Sequence, residues 1–195
     1  MKKKIEKLQK GCYLFVRKKS ILFCLLITAA TISAQEKMIT KAGKITFEAS
    51  VPAFEEVKAT NTTATCVLNP ATGEIASLAL MKGFRFKVAL MEEHFNENYI
   101  ESDKFPKATF KGKIDNFDAS ALSGTAKDYT IKGKLELHGK SKDVTMTAKI
   151  RKTDAGIEII ANFSVNADDF AIAIPSVVKS KVSNKVNVHS EFVVK

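Results

Sequence analysis

What most constrains the fold of this chain is a two-residue rhythm that runs through its second half. Ala108, Phe110, Gly112 and Ile114 alternate with Thr109, Lys111, Lys113 and Asp115. Tyr129, Ile131, Gly133, Leu135 and Leu137 alternate with Thr130, Lys132, Lys134, Glu136 and His138. The rhythm returns at Val144, Met146, Ala148 and Ile150, at Ile157, Ile159, Ala161, Phe163 and Val165, and at Val186, Val188, Ser190, Phe192 and Val194. Successive side chains of a strand point to opposite faces, so each segment presents one apolar and one polar face. Antiparallel sheets with one face on a core read this way.

The first half carries the same signal more faintly. Ile45, Phe47 and Ala49 alternate with Lys44, Thr46 and Glu48. Strands are expected over 62–68 and 74–80, on either side of the turn Asn69-Pro70-Ala71-Thr72-Gly73, with Phe84 and Phe86 following. Two segments break the rhythm. Val88, Met91, Phe95 and Tyr99 fall at helical spacing and predict a short amphipathic helix that Pro106 ends. Residues 166–180 read as a short helix or a long loop.

Eight strands result, and an open sheet of that size would leave a free edge for pairing with other chains. Closing it into a barrel removes the edge. The expected fold is therefore all-β, an eight-stranded antiparallel barrel with one short helix inserted between strands, and Gly112 and Gly133 fit the bends a small barrel needs. Such a barrel is either filled by its own side chains or holds one small ligand. The residues assigned to the lumen are Phe47, Phe84, Phe86, Phe110, Tyr129, Ile131, Leu135, Met146, Ala148, Ile159, Phe163, Val188 and Phe192.

Charge first suggests a nucleic-acid or membrane partner, since the chain carries a net +10. Residues 1–34, however, hold eight of the 31 basic side chains and one of the 21 acidic ones. The remaining 161 residues carry 23 against 20, a net of +3. The early stretch has the form of a secretory signal: a basic start, the apolar run 21–32, then Ser33 and Ala34. Cleavage is expected between Ala34 and Gln35, leaving 35–195 as one domain in the periplasm or outside the cell. The run is shorter than the roughly 20 apolar residues a membrane-spanning helix needs. Cys12 and Cys24 would leave with the leader, so Cys66 remains alone and no intramolecular disulfide can form.

No catalytic or metal constellation stands out. Residues 133–141 miss the phosphate-loop spacing by one residue and alternate as a strand. His94 and Glu97 lie one helical turn apart with Glu93 nearby, but no second such pair exists; His94 is expected to bond locally. His138 and His189 fall in the outward phase of separate strands. Cys66 alternates with Ala64 and Leu68 and reads as a small buried hydrophobe. Lys111, Lys113, Lys132, Lys134, Lys149 and Arg151 share an outward phase. Stacking aromatics are missing from that face, so single-stranded nucleic acid is not the expected partner. A solvated face is the first reading, and weak contact with anionic headgroups stays open.

Three stretches resemble the YceI-like family: Phe84-Arg85-Phe86-Lys87 with the run 91–102, then Phe105-Pro106-Lys107-Ala108-Thr109-Phe110, then the strand pair 133–146 around Leu137-His138-Gly139. The resemblance extends over about 40–195. It implies a lipocalin-like barrel, periplasmic or secreted, with a polyisoprenoid, quinone-like or fatty-acyl chain in the lumen and no catalytic cofactor. The expected function is carriage or storage of such a chain. A filled-core interaction barrel is the alternative, and an enzyme acting on an apolar substrate is a further one. Oligomeric state is left open.

Overall fold

The computed structural model describes residues 36–195; the expected leader and its cleavage site lie outside the described residues. Nine strands run in chain order: β1 Met38–Ser50, β2 Lys58–Leu68, β3 Glu74–Leu80, β4 Arg85–Phe86, β5 Lys107–Ile114, β6 Lys127–Leu137, β7 Lys140–Thr153, β8 Gly156–Asn166 and β9 Val182–Val194. β4 is a two-residue strand laid on β2, where Ala59 pairs with Phe86 and Thr60 with Arg85. The other eight close the barrel. Every neighbouring pair is antiparallel, and β1 joins both β9 and β2. Register shifts in β1 around Gly43 and before Ser50 bend that strand, as bulges do.

Antiparallel order sends the connections alternately to two ends. One end carries the 69–73 turn, the 115–126 segment and the turn at Asp154-Ala155. The other carries the 51–57 loop, the long 81–106 connection, the two-residue turn His138-Gly139 and the 167–181 connection.

The predicted helix over 88–99 forms in two pieces. A short α-helix, α1, spans Ala89–His94 and passes into a π-helical turn over Phe95–Tyr99. The wider turn is the difference from the expected uniform helix, and π turns are frequent at functional sites. The Glu92 carboxylate anchors this segment to β4 by accepting from the Phe86 backbone N–H at 3.1 Å and from Arg85. The stretch 166–180 resolves into 3₁₀ turns at Ala167–Phe170 and Ser176–Val178 within a long connection.

Gly112 and Gly133 face each other across β5 and β6 with no shift of register. A Cβ at either position would stand 2.7 Å from the Phe110 ring. The pair makes room for that ring inside the barrel.

Candidate functional site

The inward side chains do not fill the barrel evenly. At the end capped by residues 115–126, Leu68, Ile114, Ile150, Ile157 and Val194 meet Ala64, Cys66 and Ala148, all buried. Leu122 is buried there too, and Phe117 sets its ring edge-on to Tyr129 at 5.9 Å between centroids. Within the cap Asp118 accepts from the Ser120 N–H at 2.9 Å, and the Ser123 carbonyl ties the cap to β7 by accepting from the Lys152 N–H at 2.8 Å. This half is solid.

The other half encloses a cavity of ≈ 520 Å³, within the range of about 300–1,000 Å³ of small-molecule sites. Of the thirteen residues assigned to the lumen, Phe47, Phe84, Phe86, Phe110, Ile131, Leu135, Met146, Ile159, Phe163, Val188 and Phe192 line it. Tyr129 and Ala148 do not. Both point inward, but in the solid half, where Tyr129 pairs with Ala148 across β6 and β7. Alternation reports the face on which a side chain lies and is silent about its depth along the barrel axis.

A cluster of phenylalanines makes one wall. Phe47 of β1 lies 5.3 Å from Phe84, 5.7 Å from Phe86 and 5.3 Å from Phe95, centroid to centroid, and Phe86 stands 5.2 Å from Phe95. Four segments of chain converge there, and buried Asn61 of β2 sets part of the arrangement. Its amide donates to the Leu80 carbonyl at 3.0 Å and its oxygen accepts from the Thr63 N–H at 2.8 Å, holding the turn that delivers Met81 and Phe84. The wall continues beside Phe47 through Val186 and Val188 of β9 and Phe163 and Val165 of β8, with Val188 paired to both Phe47 and Phe163 across the strands.

Many lining residues come from connections. Met91, Phe95, Tyr99 and Ile100 arrive on α1 and its π turn, and the first three are the apolar stripe that helical spacing marked out. Ala167, Phe170, Ile172 and Ile174 arrive on the 167–181 connection, which has no period to read. The lining includes exposed Phe54, Glu55, His94 and Lys181, so the cavity opens to solvent between the 51–57 loop, α1 and the 174–183 stretch. Leu90, 57% exposed, and Val177, 81% exposed, flank that mouth. His94 was expected to bond locally; it sits exposed at the mouth instead.

Glu55, His94, Tyr99 and Lys181 are the titratable groups on the lining, and all belong to connections. Cys66 is buried in the solid half, where desolvation pushes its thiol up to about 12. Among the described residues no group of three or more His, Cys, Asp or Glu side chains is placed to hold a metal ion.

His138 departs from the reading that placed it outward on a strand. It occupies the turn between β6 and β7 with φ 50°, and its side chain is 10% exposed. His189 does face outward, between Asn162 at 2.7 Å and Glu191 at 2.8 Å. The bond to His189 and then that from Lys44 hold the Glu191 carboxyl below the usual carboxylate range. The basic stripe is outward as expected but largely neutralised: Lys132 pairs with Asp115 at 2.6 Å, Lys134 with Asp143 at 2.8 Å, Lys149 with Asp128 at 3.2 Å, and Arg151 with Glu158.

An apolar chamber over a solid floor, entered past a π-turned helix, can now be set beside known proteins. The family model of the YceI-like domain matches residues 31–194. This chain belongs to the YceI-like family. Its barrel resembles that of a polyisoprenoid binding domain from Saccharophagus degradans implicated in plant cell wall breakdown, with TM-score 0.68 and 13% identity over 82% of this chain and 97% of that one. Burkholderia cenocepacia BcnA follows at TM-score 0.65 and 16% identity, covering 78% of this chain and 96% of that one. The Campylobacter jejuni YceI protein gives 0.56 and 19%, covering 74% and 89%. At these identities the likeness establishes the shared barrel. Among curated proteins, no sequence matches.

Proposed function

We propose that this YceI-like protein is a binding protein, without catalytic activity of its own, that holds one long apolar or amphiphilic chain in the hollow half of its barrel. The observation that carries the reading is the ≈ 520 Å³ cavity, walled by aliphatic and phenyl side chains and open at one end. Such a wall offers burial, worth roughly 0.8 kcal/mol per CH₂ taken from water, and little directional chemistry. Polyisoprenoid, quinone-like and fatty-acyl chains gain most from it. The Saccharophagus degradans domain that shares this barrel is a polyisoprenoid binding domain, which agrees with this choice.

An amphiphile would place its chain against Phe47, Phe163 and Met146, and its head at the mouth beside His94 and Lys181. The side chains of Glu55, His94, Tyr99 and Lys181 share no hydrogen bond with one another or with a serine of the lining, which favours carriage over turnover. The basic, then apolar start of the chain supports work outside the cytoplasm. Native mass spectrometry of protein purified without detergent tests the reading. One apolar molecule per chain, or stoichiometric uptake of added geranylgeraniol, is expected. Bare protein that refuses every long-chain alcohol and acid offered would defeat it.

A further inference from the structure

Two of the segments covering the hollow end are joined through one imidazole. His138 Nδ1 lies 3.0 Å from the Phe170 carbonyl oxygen, and Nε2 lies 3.0 Å from the Glu101 carboxylate. Phe170 belongs to the turn that brings Ala167, Phe170 and Ile172 to the cavity; Glu101 directly follows Ile100, which lines it. The ring is packed edge-on against Phe105 at 4.4 Å.

Both partners are acceptors and neither can donate. A neutral imidazole carries one N–H and one lone pair, so it satisfies one partner and turns a lone pair toward the other. Only the imidazolium donates to both. We propose that His138 is the positioning residue of the cavity cover, a clasp that joins the 100–105 and 167–172 segments when doubly protonated and releases one of them when it loses a proton. The clasp rests on the reading of the cavity as a ligand chamber, and its consequence is faster ligand exchange from the deprotonated form.

The charged surroundings are few. Lys104 Nζ stands 3.7 Å from the other Glu101 oxygen, and Asp169, beside Phe170, pairs with Lys142 of β7 at 3.5 Å. Neither cation touches the ring nitrogens, so the clasp is a matter between His138, Glu101 and the Phe170 carbonyl.

The geometry supplies its own control. In Glu101→Gln the side-chain amide can donate to Nε2 while Nδ1–H donates to Phe170, so the neutral ring satisfies both partners and the clasp no longer needs the second proton. Hydrogen exchange, corrected for intrinsic rates, would be followed at the amides of Lys104, Phe105, Ala171 and Ile172, each bonded within its own cover segment. The span runs from about pH 5.5 to about pH 8, where histidine side chains change charge. Protection in the parent protein is expected to fall roughly tenfold to a hundredfold, the worth of a charge-assisted bond, while Glu101→Gln stays protected and flat. Release of N-phenylnaphthylamine, uncharged over this span, should quicken with pH in the parent alone. His138→Ala should be unprotected at both ends of the span. A flat parent profile, or Glu101→Gln falling as steeply as the parent, would overturn the clasp and leave the chamber standing. A parent that binds no probe would count against the chamber, and the exchange profile would still decide the clasp.

Discussion

Ala79 and Ala148 are both buried alanines on strands of one barrel, at 3% and 0% exposure, yet they stand in different surroundings. Ala79 lines the cavity; Ala148 is packed beneath it among Tyr129, Ile150 and their neighbours. The halves share strands, hydrogen-bond ladders and alternation. They differ in what the connections contribute. At the solid end the 115–126 segment folds Phe117 and Leu122 against the inward side chains. At the hollow end the longer 81–106 and 167–181 connections stand over the barrel as walls and cover and bound the cavity between them. The chamber is thus a property of the loops at one end, built over a packed floor.

The sharpest way to break this contrast is to cut side chains from each half. Ile150→Ala should cost about 2–5 kcal/mol, because the floor is closely packed and relaxes only in part. Leu135→Ala removes a group that already borders empty space and should cost on the order of 1 kcal/mol. Chemical denaturation of both variants reads the difference, and equal losses would mean the halves are packed alike.

Enlargement should give the converse, with a smaller effect on stability. Ala148→Trp overpacks the floor, at about 1–3 kcal/mol. Ala79→Trp has room to extend into the cavity, so its melting temperature should stay near that of the parent while long-chain uptake is lost. Uptake surviving in Ala79→Trp would place the ligand elsewhere.

Thiol chemistry gives the gentlest comparison. Cys66 is buried in the floor, where desolvation holds its thiol neutral up to about pH 12, and iodoacetamide at neutral pH should leave it unmodified in the native protein. A cysteine at position 79, in a Cys66→Ala background, faces a chamber open to solvent and should be alkylated. The sign of the linkage follows from the raised value. Folded and unfolded chains both hold the neutral thiol below the ordinary value of 9.0, so the stability is fully present there and is lost as pH rises toward 12. A thermal titration of the parent against Cys66→Ala above pH 9 checks it.

Much of the barrel was legible because strand geometry writes itself into sequence. Val144 to Ile150 and Ile157 to Val165 show their inward faces residue by residue. The stripe Met91, Phe95 and Tyr99 was legible as well, and it lines the chamber, although the π turn was not foreseen. Phe170, Ile172 and Met81 were beyond reach, since residues on irregular backbone have no period to betray which way they point. The split between floor and chamber was beyond reach for another reason: Ala148 and Ala79 carry the same alternation, and only the packed loops distinguish their depth. His138 was misplaced because a two-residue turn with positive φ at both positions, here His138 at 50° and Gly139 at 69°, ends the strand phase abruptly.

The most direct test is to see where a chain lies. Crystals grown with a long-chain alcohol brominated at its far end would give the bromine position from anomalous scattering. The expected peak sits in the hollow half, within contact of Phe110, Met146 or Ile159 and above the layer of Ala148 and Ile150. A bromine on the outer face of the sheet, or crystals whose chamber excludes the alcohol at saturation, would contradict a ligand held in the barrel.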